Sequence, residues 1–342
     1  TVSESGRTFW YELFTHLLIY ALIDYYPQTG HLLEEMEITA DMWYEAAYVM
    51  AQEEDFNYTA FDFKSMQPVY NGRWREPDGA AGIAWIQYMA YVRFGNPKYL
   101  EAAKWALDYL QERTANPYYE VLLPYGAMIA ARMNKEVGTD YDVAKFLNWC
   151  CDGDSECRPG WGVVTERWGG VDCHGLTGSL TDGGGYPFAM NSFQSAAVLV
   201  PLVRYGPQFA RAIGRWMLNL ANNARLFYAD FHPHDHQTCW FWQGDPKHLI
   251  PYEGLRKEWD GKSPYATGDP IRYSWGAIDF CLYAGSHVGM LGGLMQKTNV
   301  EGILQWDCLK TDYFKGESNP TFLYYNPYPE EKRVEIPVGS EV

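Results

Sequence analysis

Three stretches of the chain concentrate carboxylates, imidazoles and aromatic rings. The first, residues 54–78, ends in Asn71-Gly72-Arg73-Trp74-Arg75-Glu76-Pro77-Asp78. Asp78 falls where a helix N-cap would sit, and equally where a carboxylate would stand at the mouth of a helical barrel. Arg73 and Arg75 are placed to bind a uronic-acid carboxylate or to restrain Glu76, and Trp74 to form a sugar platform. The second, 152–190, carries Trp161, Glu166 and Trp168, then Asp172-Cys173-His174, then Asp182-Gly183-Gly184-Gly185-Tyr186. Its glycines do not make a phosphate loop, because no strand precedes them and no Lys-Ser/Thr follows. Glu166, Asp172 and Asp182 stand among aromatic residues. Burial against rings raises a carboxyl pKa, which a general acid at neutral pH requires.

The third stretch, 229–270, holds His232-Pro233-His234-Asp235-His236. Spacing of i, i+2, i+4 suits a strand or turn. No fourth ligand is evident, so metal is the weaker reading of this cluster. A hydrogen-bonded loop core, or a catalytic His232, is the stronger one. Beyond it lie Trp240, Trp242, Trp259, Tyr265, Asp269 and Tyr273, while Glu253, Arg256, Glu258 and Asp260 are expected to be mostly solvated. His287 is expected to be a satisfied core histidine. A Gly-x-Ser-x-Gly nucleophile elbow is absent.

Composition narrows the classes. The 342 residues include 14 Trp and 27 Tyr, more than packing alone usually requires. Aromatic faces stack on the C–H faces of sugars, and Tyr and Trp keep a polar handle for hydroxyls. A net charge of −16 lacks the basic footprint that nucleic-acid binding needs. No apolar run of bilayer length is present, so no membrane partner is expected. No signal peptide is legible, as a trimmed mature chain would also show, and a periplasmic or extracellular location is expected. Of seven Cys, four lie close in sequence: Cys150, Cys151, Cys157 and Cys173. Their spacing is not a zinc-ribbon pattern, which leaves a local disulfide and buried free thiols both open. No cofactor is implied.

The elements that must position these residues read as helices. Residues 8–26 form one, with Thr8 as N-cap and Pro27 beyond its end, and Thr39 can cap a second. Segment 79–94 carries Ile83, Ala84, Tyr88 and Val92 at helical spacing and ends at Gly95. Asn96-Pro97 then opens a helix to about 112, with stripe Tyr99, Ala103, Ala106, Leu107 and Leu110. Further pairs read over 118–134 and 139–151, the latter capped by Thr139, and over 191–205 and 207–224, where Asn191 and Gln194 resemble a capping pair. Last come 271–283, 286–297 and 299–311. Helices joined by short turns pack as antiparallel neighbours. The expected fold is all-α, an (α/α)6-type toroid of helical hairpins over residues 1–316. An open solenoid is disfavoured because no fixed repeat exists. Residues 317–342 read as a β-like tail, strands near 321–327 and 333–338, either a short cap or the start of a longer sandwich.

The phrase Trp85-Ile86-Gln87-Tyr88, followed by Phe94-Gly95-Asn96-Pro97-Lys98-Tyr99-Leu100-Glu101-Ala102-Ala103, resembles the helix-turn-helix style of the six-hairpin glycosidase superfamily and its toroidal polysaccharide-lyase relatives. The resemblance spans about residues 8–315 and transfers no catalytic residue by motif. It implies a carbohydrate-active enzyme on an oligo- or polysaccharide. The first expectation is a glycoside hydrolase with a carboxylate acid/base pair, drawn from Asp78, Glu166, Asp172 and Asp182. The alternatives are a lyase that eliminates from uronic-acid glycans through Tyr or His, with Asn191, His174, His232, Tyr265 and Tyr273 as its residues, and a non-catalytic glycan-binding protein. Substrate contacts are expected from Arg73, Trp74, Arg75, Glu76, Trp161, Trp168, Tyr186, Asn191, His234, Trp240, Trp242 and Tyr273.

Overall fold

The computed structural model describes residues 7–26, 28 and 30–336, so Pro27 and residues 337–338 of the expected tail strand lie outside them. The chain divides into two compact units. The first takes in residues up to 163 together with 177–185 and 313–316; the second holds 164–176, 186–312 and the residues from 317 on.

In the first unit the helices are α1 (Phe9–Tyr25), α2 (Leu32–Gln52), α3 (Gly79–Phe94), α4 (Pro97–Glu112), α5 (Leu123–Glu136) and α6 (Val143–Cys151). They alternate in character. In α4 one face is buried, through Tyr99, Ala102, Ala103, Ala106, Leu107 and Leu110, as its stripe predicts. In α3 every residue from Gly79 to Ala90 is buried, the mark of a helix packed all round. Small residues make this possible. A Cβ on Gly79 would stand 2.6 Å from the Phe9 ring, and one on Gly126 would stand 2.7 Å from the Ala81 side chain. α3 therefore packs directly on α1 and α5, and on α2 and α4 as well. Arg132 of α5, 1% exposed, ion-pairs with Glu136 at 2.9 Å and donates to the carbonyls of Tyr313 and Phe314.

The turn between α3 and α4 forms as expected. Gly95 takes the left-handed conformation, φ 72°, that ends α3 without a Cβ penalty. Asn96 Oδ1 then accepts from the Lys98 amide, with Pro97 in the first turn. Other boundaries move. Thr39 lies inside α2, not at its start. Asp142, not Thr139, caps α6 by accepting from the Lys145 amide at 2.9 Å, while Thr139 bonds Asn134.

The second unit contains α7 (Ala189–Leu202), α8 (Ala210–Asn223) and the short α9 (Asp269–Arg272), α10 (Leu282–Gly285) and α11 (Val288–Gly292). All of α7 is buried, and it packs on α8, α10 and α11. Asn191 and Gln194 are not a capping pair. Both lie within α7, whose N-cap is Phe188, and Gln194 Oε1 accepts from His287 Nδ1 at 2.8 Å. Burial pushes that imidazole down to about 4, so His287 is a neutral core group.

The all-α toroid is corrected here. Helix makes up 46% of the chain and strand 13%, in several small sheets. Periodicity over 271–311 predicts three long helices, but the chain forms short helical turns there. It then forms strands 295–297 and 304–307, extended by 322–324 into an antiparallel sheet. Gly285, Gly289, Gly292 and Gly293 each weaken a helix by about 1 kcal/mol relative to Ala, and Gly302 sits at φ 75°. Of the two expected tail strands, 322–324 forms and 333–336 carries no strand.

Candidate functional site

The third loop stretch is ordered by a hairpin in the second unit. Strand 254–256 pairs antiparallel with 265–267, setting Arg256 opposite Tyr265 and Gly254 opposite Thr267. Gly254 has no room for a Cβ, which would meet the Tyr186 ring at 2.3 Å. That close approach brings the preceding residue, Glu253, to Tyr186, whose hydroxyl donates to Glu253 Oε1 at 3.3 Å. The Asp269 amide reaches the same oxygen at 3.4 Å. Burial, and then the charge of Asp269, push the half-buried Glu253 up to about 7. Asp269 itself ion-pairs with Arg256 at 3.0 Å. The Arg256 guanidinium lies 3.5 Å from the Tyr186 ring centre and 5.3 Å from that of Trp259. Asp279, fully buried, supports this corner. It accepts from the Thr238 and Thr267 hydroxyls and the Ile271 amide, which holds α9 against the hairpin.

Two carboxyls thus share one corner in unlike surroundings. Glu253 keeps its proton to near neutrality, while Asp269 faces a cation. Neither Glu253, Arg256 nor Asp279 stands out in the sequence. Glu253 and Arg256 look solvated there, and only the glycine contact and the hairpin register bury them.

Beside this corner runs a 510 Å³ groove within the same unit. Tyr228, Trp240, Trp242 and Phe280 line it with rings; His232, His234 and His248 add imidazoles, and Asp230 and Asp245 add carboxyls. Trp240 is 54% exposed and stacks nearly parallel on His234, 5.1 Å between centroids at 15°. The three imidazoles of the His232–His236 run turn to separate partners. His232 Nε2 donates to the Leu226 carbonyl at 2.6 Å, His236 Nδ1 donates to the Pro264 carbonyl at 2.9 Å, and His234 is stacked on Trp240. Burial lowers the pKa of His232. The expected His232, His234, Trp240 and Trp242 are therefore brought together.

The second loop stretch is split between the units. In the second unit Glu166 lies at the surface, held below the usual carboxylate range by Lys257 Nζ at 2.6 Å and the Trp168 indole at 2.9 Å. Burial pulls Asp172 upward, but the His174 amide and imidazole and Asn223 outweigh it and hold it low. Both are fixed carboxylates, not raised acids. Asp182 belongs to the first unit, its amide on Ser179 Oγ. Several expected sugar contacts are interior. Trp161, Trp168, Tyr186 and Asn191 are buried, with the Trp161 indole on the Glu120 carbonyl at 2.7 Å, so none of them offers a free face. Tyr265 is half-buried and pushed up by burial, and Tyr273 is exposed.

In the first unit, Glu76 and Asp78 are buried. Glu76 accepts from the Trp10 amide at 2.9 Å, the Thr8 hydroxyl at 3.1 Å and the Trp74 indole at 2.8 Å. Burial lifts it to about 7 against those bonds. Asp78 does not cap α3 with its side chain. It accepts from the Tyr119 amide at 3.1 Å, and burial raises it well above the usual range. These two join the entries of α1 and α3 and the segment before α5. Arg75 does not restrain Glu76: it lies 4.2 Å from the Tyr70 ring centre and donates to the Asn57 carbonyl. Trp74 is stacked on Tyr119 at 12°, and Arg73 is exposed. All seven cysteines are free.

No helix among the described residues is long and apolar enough to cross a membrane. No family model, curated protein or solved structure matches the chain.

Proposed function

We propose that the chain is a glycoside hydrolase in which Glu253 is the general acid and Asp269 the carboxylate partner. The observation that carries this proposal is the pairing of a half-buried Glu253 with Asp269 over Arg256 and Tyr186. Glycoside hydrolysis needs one protonated and one ionised carboxyl flanking the scissile bond. Glu253 would protonate the leaving-group oxygen. Asp269, oriented by Arg256 and the Asp279 network, would face the positive charge that develops at the anomeric carbon as that bond breaks, and would take the proton of the water that adds there.

Elimination has weaker support. It calls for Tyr or His as base, and here burial pushes Tyr265 up, away from the ionised form, His174 is turned to Asp172 and His232 is tied to the Leu226 carbonyl. The test is a panel of neutral and uronic-acid polysaccharides, followed for new reducing ends and for the ultraviolet absorbance of an unsaturated product. Reducing ends without absorbance are expected. Absorbance would establish elimination instead, and binding with neither signal would leave a non-catalytic glycan-binding protein. Glu253→Gln and Asp269→Asn should each lower turnover by roughly 10²–10⁴-fold, with circular dichroism showing that both variants fold.

A further inference from the structure

We propose that the aromatic groove of the second unit holds a glycan segment that bears no acidic group, an uncharged or amino-bearing oligosaccharide. This goes beyond the Glu253–Asp269 chemistry, because the groove and the carboxyl corner are separate places. Tyr252 and Glu253 are consecutive, and their side chains leave the backbone in different directions. Tyr252 packs on Phe280, a groove residue, at 4.6 Å, whereas Glu253 turns to Tyr186 and Asp269.

Size, shape and charge point to the occupant. A 510 Å³ groove falls within the ~300–1,000 Å³ of small-molecule sites. His234 stacks nearly parallel on Trp240 and backs an indole that is still 54% exposed. Trp242, 4.7 Å from Phe280 between centroids, adds a tilted wall. Rings in this arrangement suit the C–H face of a pyranose and do not select one base or peptide side chain. The charged groups that line the groove are Asp230 and Asp245, and no Lys or Arg is among the described residues lining it. Carboxylates accept hydrogen bonds from sugar hydroxyls or an ammonium. A uronate or sulfate in the same place would meet like charge with no Lys or Arg to offset it, and the His248 imidazole is turned to Asp230 at 3.4 Å.

The groove is also built before any ligand arrives. Gln237 Nε2 donates to the carbonyls of His232 at 2.8 Å and Ala229 at 3.0 Å, and its Oε1 accepts from the Tyr252 hydroxyl at 3.0 Å. Asp245 Oδ2 accepts from the Ile250 amide at 2.6 Å. A site with its loop already fixed loses less entropy on binding.

Isothermal titration of the whole chain at low ionic strength tests the proposal with three probes: a neutral β-glucan hexaose, a glucosamine hexaose and a galacturonate hexaose. The neutral or amino probe should bind at least about tenfold more tightly than the galacturonate. Trp240→Ala should weaken binding by about tenfold or more, as removal of a stacking platform does. The double variant Asp230→Asn, Asp245→Asn should narrow the gap between neutral and acidic probes, which mere loosening of the loop would not do. Galacturonate binding as tight as the neutral probe, or no binding by any probe, overturns the proposal. So does unchanged affinity in Trp240→Ala. Probe binding is read independently of turnover. Binding without turnover would therefore sink the hydrolase proposal and leave the groove standing.

Discussion

Glu253 and Glu166 show how surroundings decide what a carboxyl can do. Glu166 is at the surface beside Lys257 and is held ionised. Glu253 sits among Tyr186, Asp269 and the buried hairpin and keeps its proton to about 7. If Glu253 is the acid, activity should fall as pH rises through about 7, because its deprotonated form cannot protonate a leaving group. A pH–rate profile on any hydrolysed substrate checks this. A basic limb that stays in place in Glu253→Gln, read from its residual activity, would assign the limb to another group. Glu76 also rises to about 7, but its three hydrogen bonds run to Thr8, Trp10 and Trp74. Glu76→Gln should therefore lower stability more than turnover, with thermal melting and activity measured side by side.

At the scale of elements, close helix packing in the first unit depends on missing side chains. α3 approaches α1 where Gly79 meets Phe9, and α5 where Gly126 meets Ala81. Gly79→Ala would drive a methyl to 2.6 Å from the Phe9 ring. Overpacking of this kind costs ~1–3 kcal/mol, more than the better helix propensity of Ala returns. Urea unfolding should show the midpoint falling. A rise would mean that α1 can shift aside freely. In the second unit, Asp279 ties three segments with side-chain bonds. Its replacement by Ala should loosen α9 and the hairpin together.

For the molecule as a whole, proton linkage and net charge both act on stability. Glu76 and Glu253 rise from 4.5 unfolded to about 7 folded, and Asp78 rises as well. Between those values the folded chain binds more protons than the unfolded one. The stabilisation these groups contribute is thus full below about 4.5 and is lost as pH climbs through about 7. Self-repulsion from a net charge of −16 adds to the loss at neutral pH. The melting temperature should be higher at mildly acidic pH than at alkaline pH, and added salt should raise it at alkaline pH by screening. Differential scanning calorimetry across pH checks both signs, and a melting temperature that climbs steadily with pH would contradict them.

Local chemistry made part of this protein legible in its sequence. Gly95, Asn96 and Pro97 place the turn between α3 and α4 because each acts on its own backbone. The stripe of α4 names its buried face, and the aromatic and histidine-rich stretch marks the groove. Other features depended on partners distant in the chain. The segment 271–311 holds apolar runs that fit helix or strand equally. Repeated glycines and a neighbouring strand at 322–324 settle it as short turns and sheet. Asp78, Glu166, Asp172 and Asp182 look alike as loop carboxylates, yet the fold buries one and leaves two held low by cations and amides. It raises Glu253, which sequence marks as solvated, because a glycine one residue on lets the backbone meet Tyr186. Desolvation and charge pairing are properties of the neighbourhood, and only the tertiary structure assembles the neighbourhood.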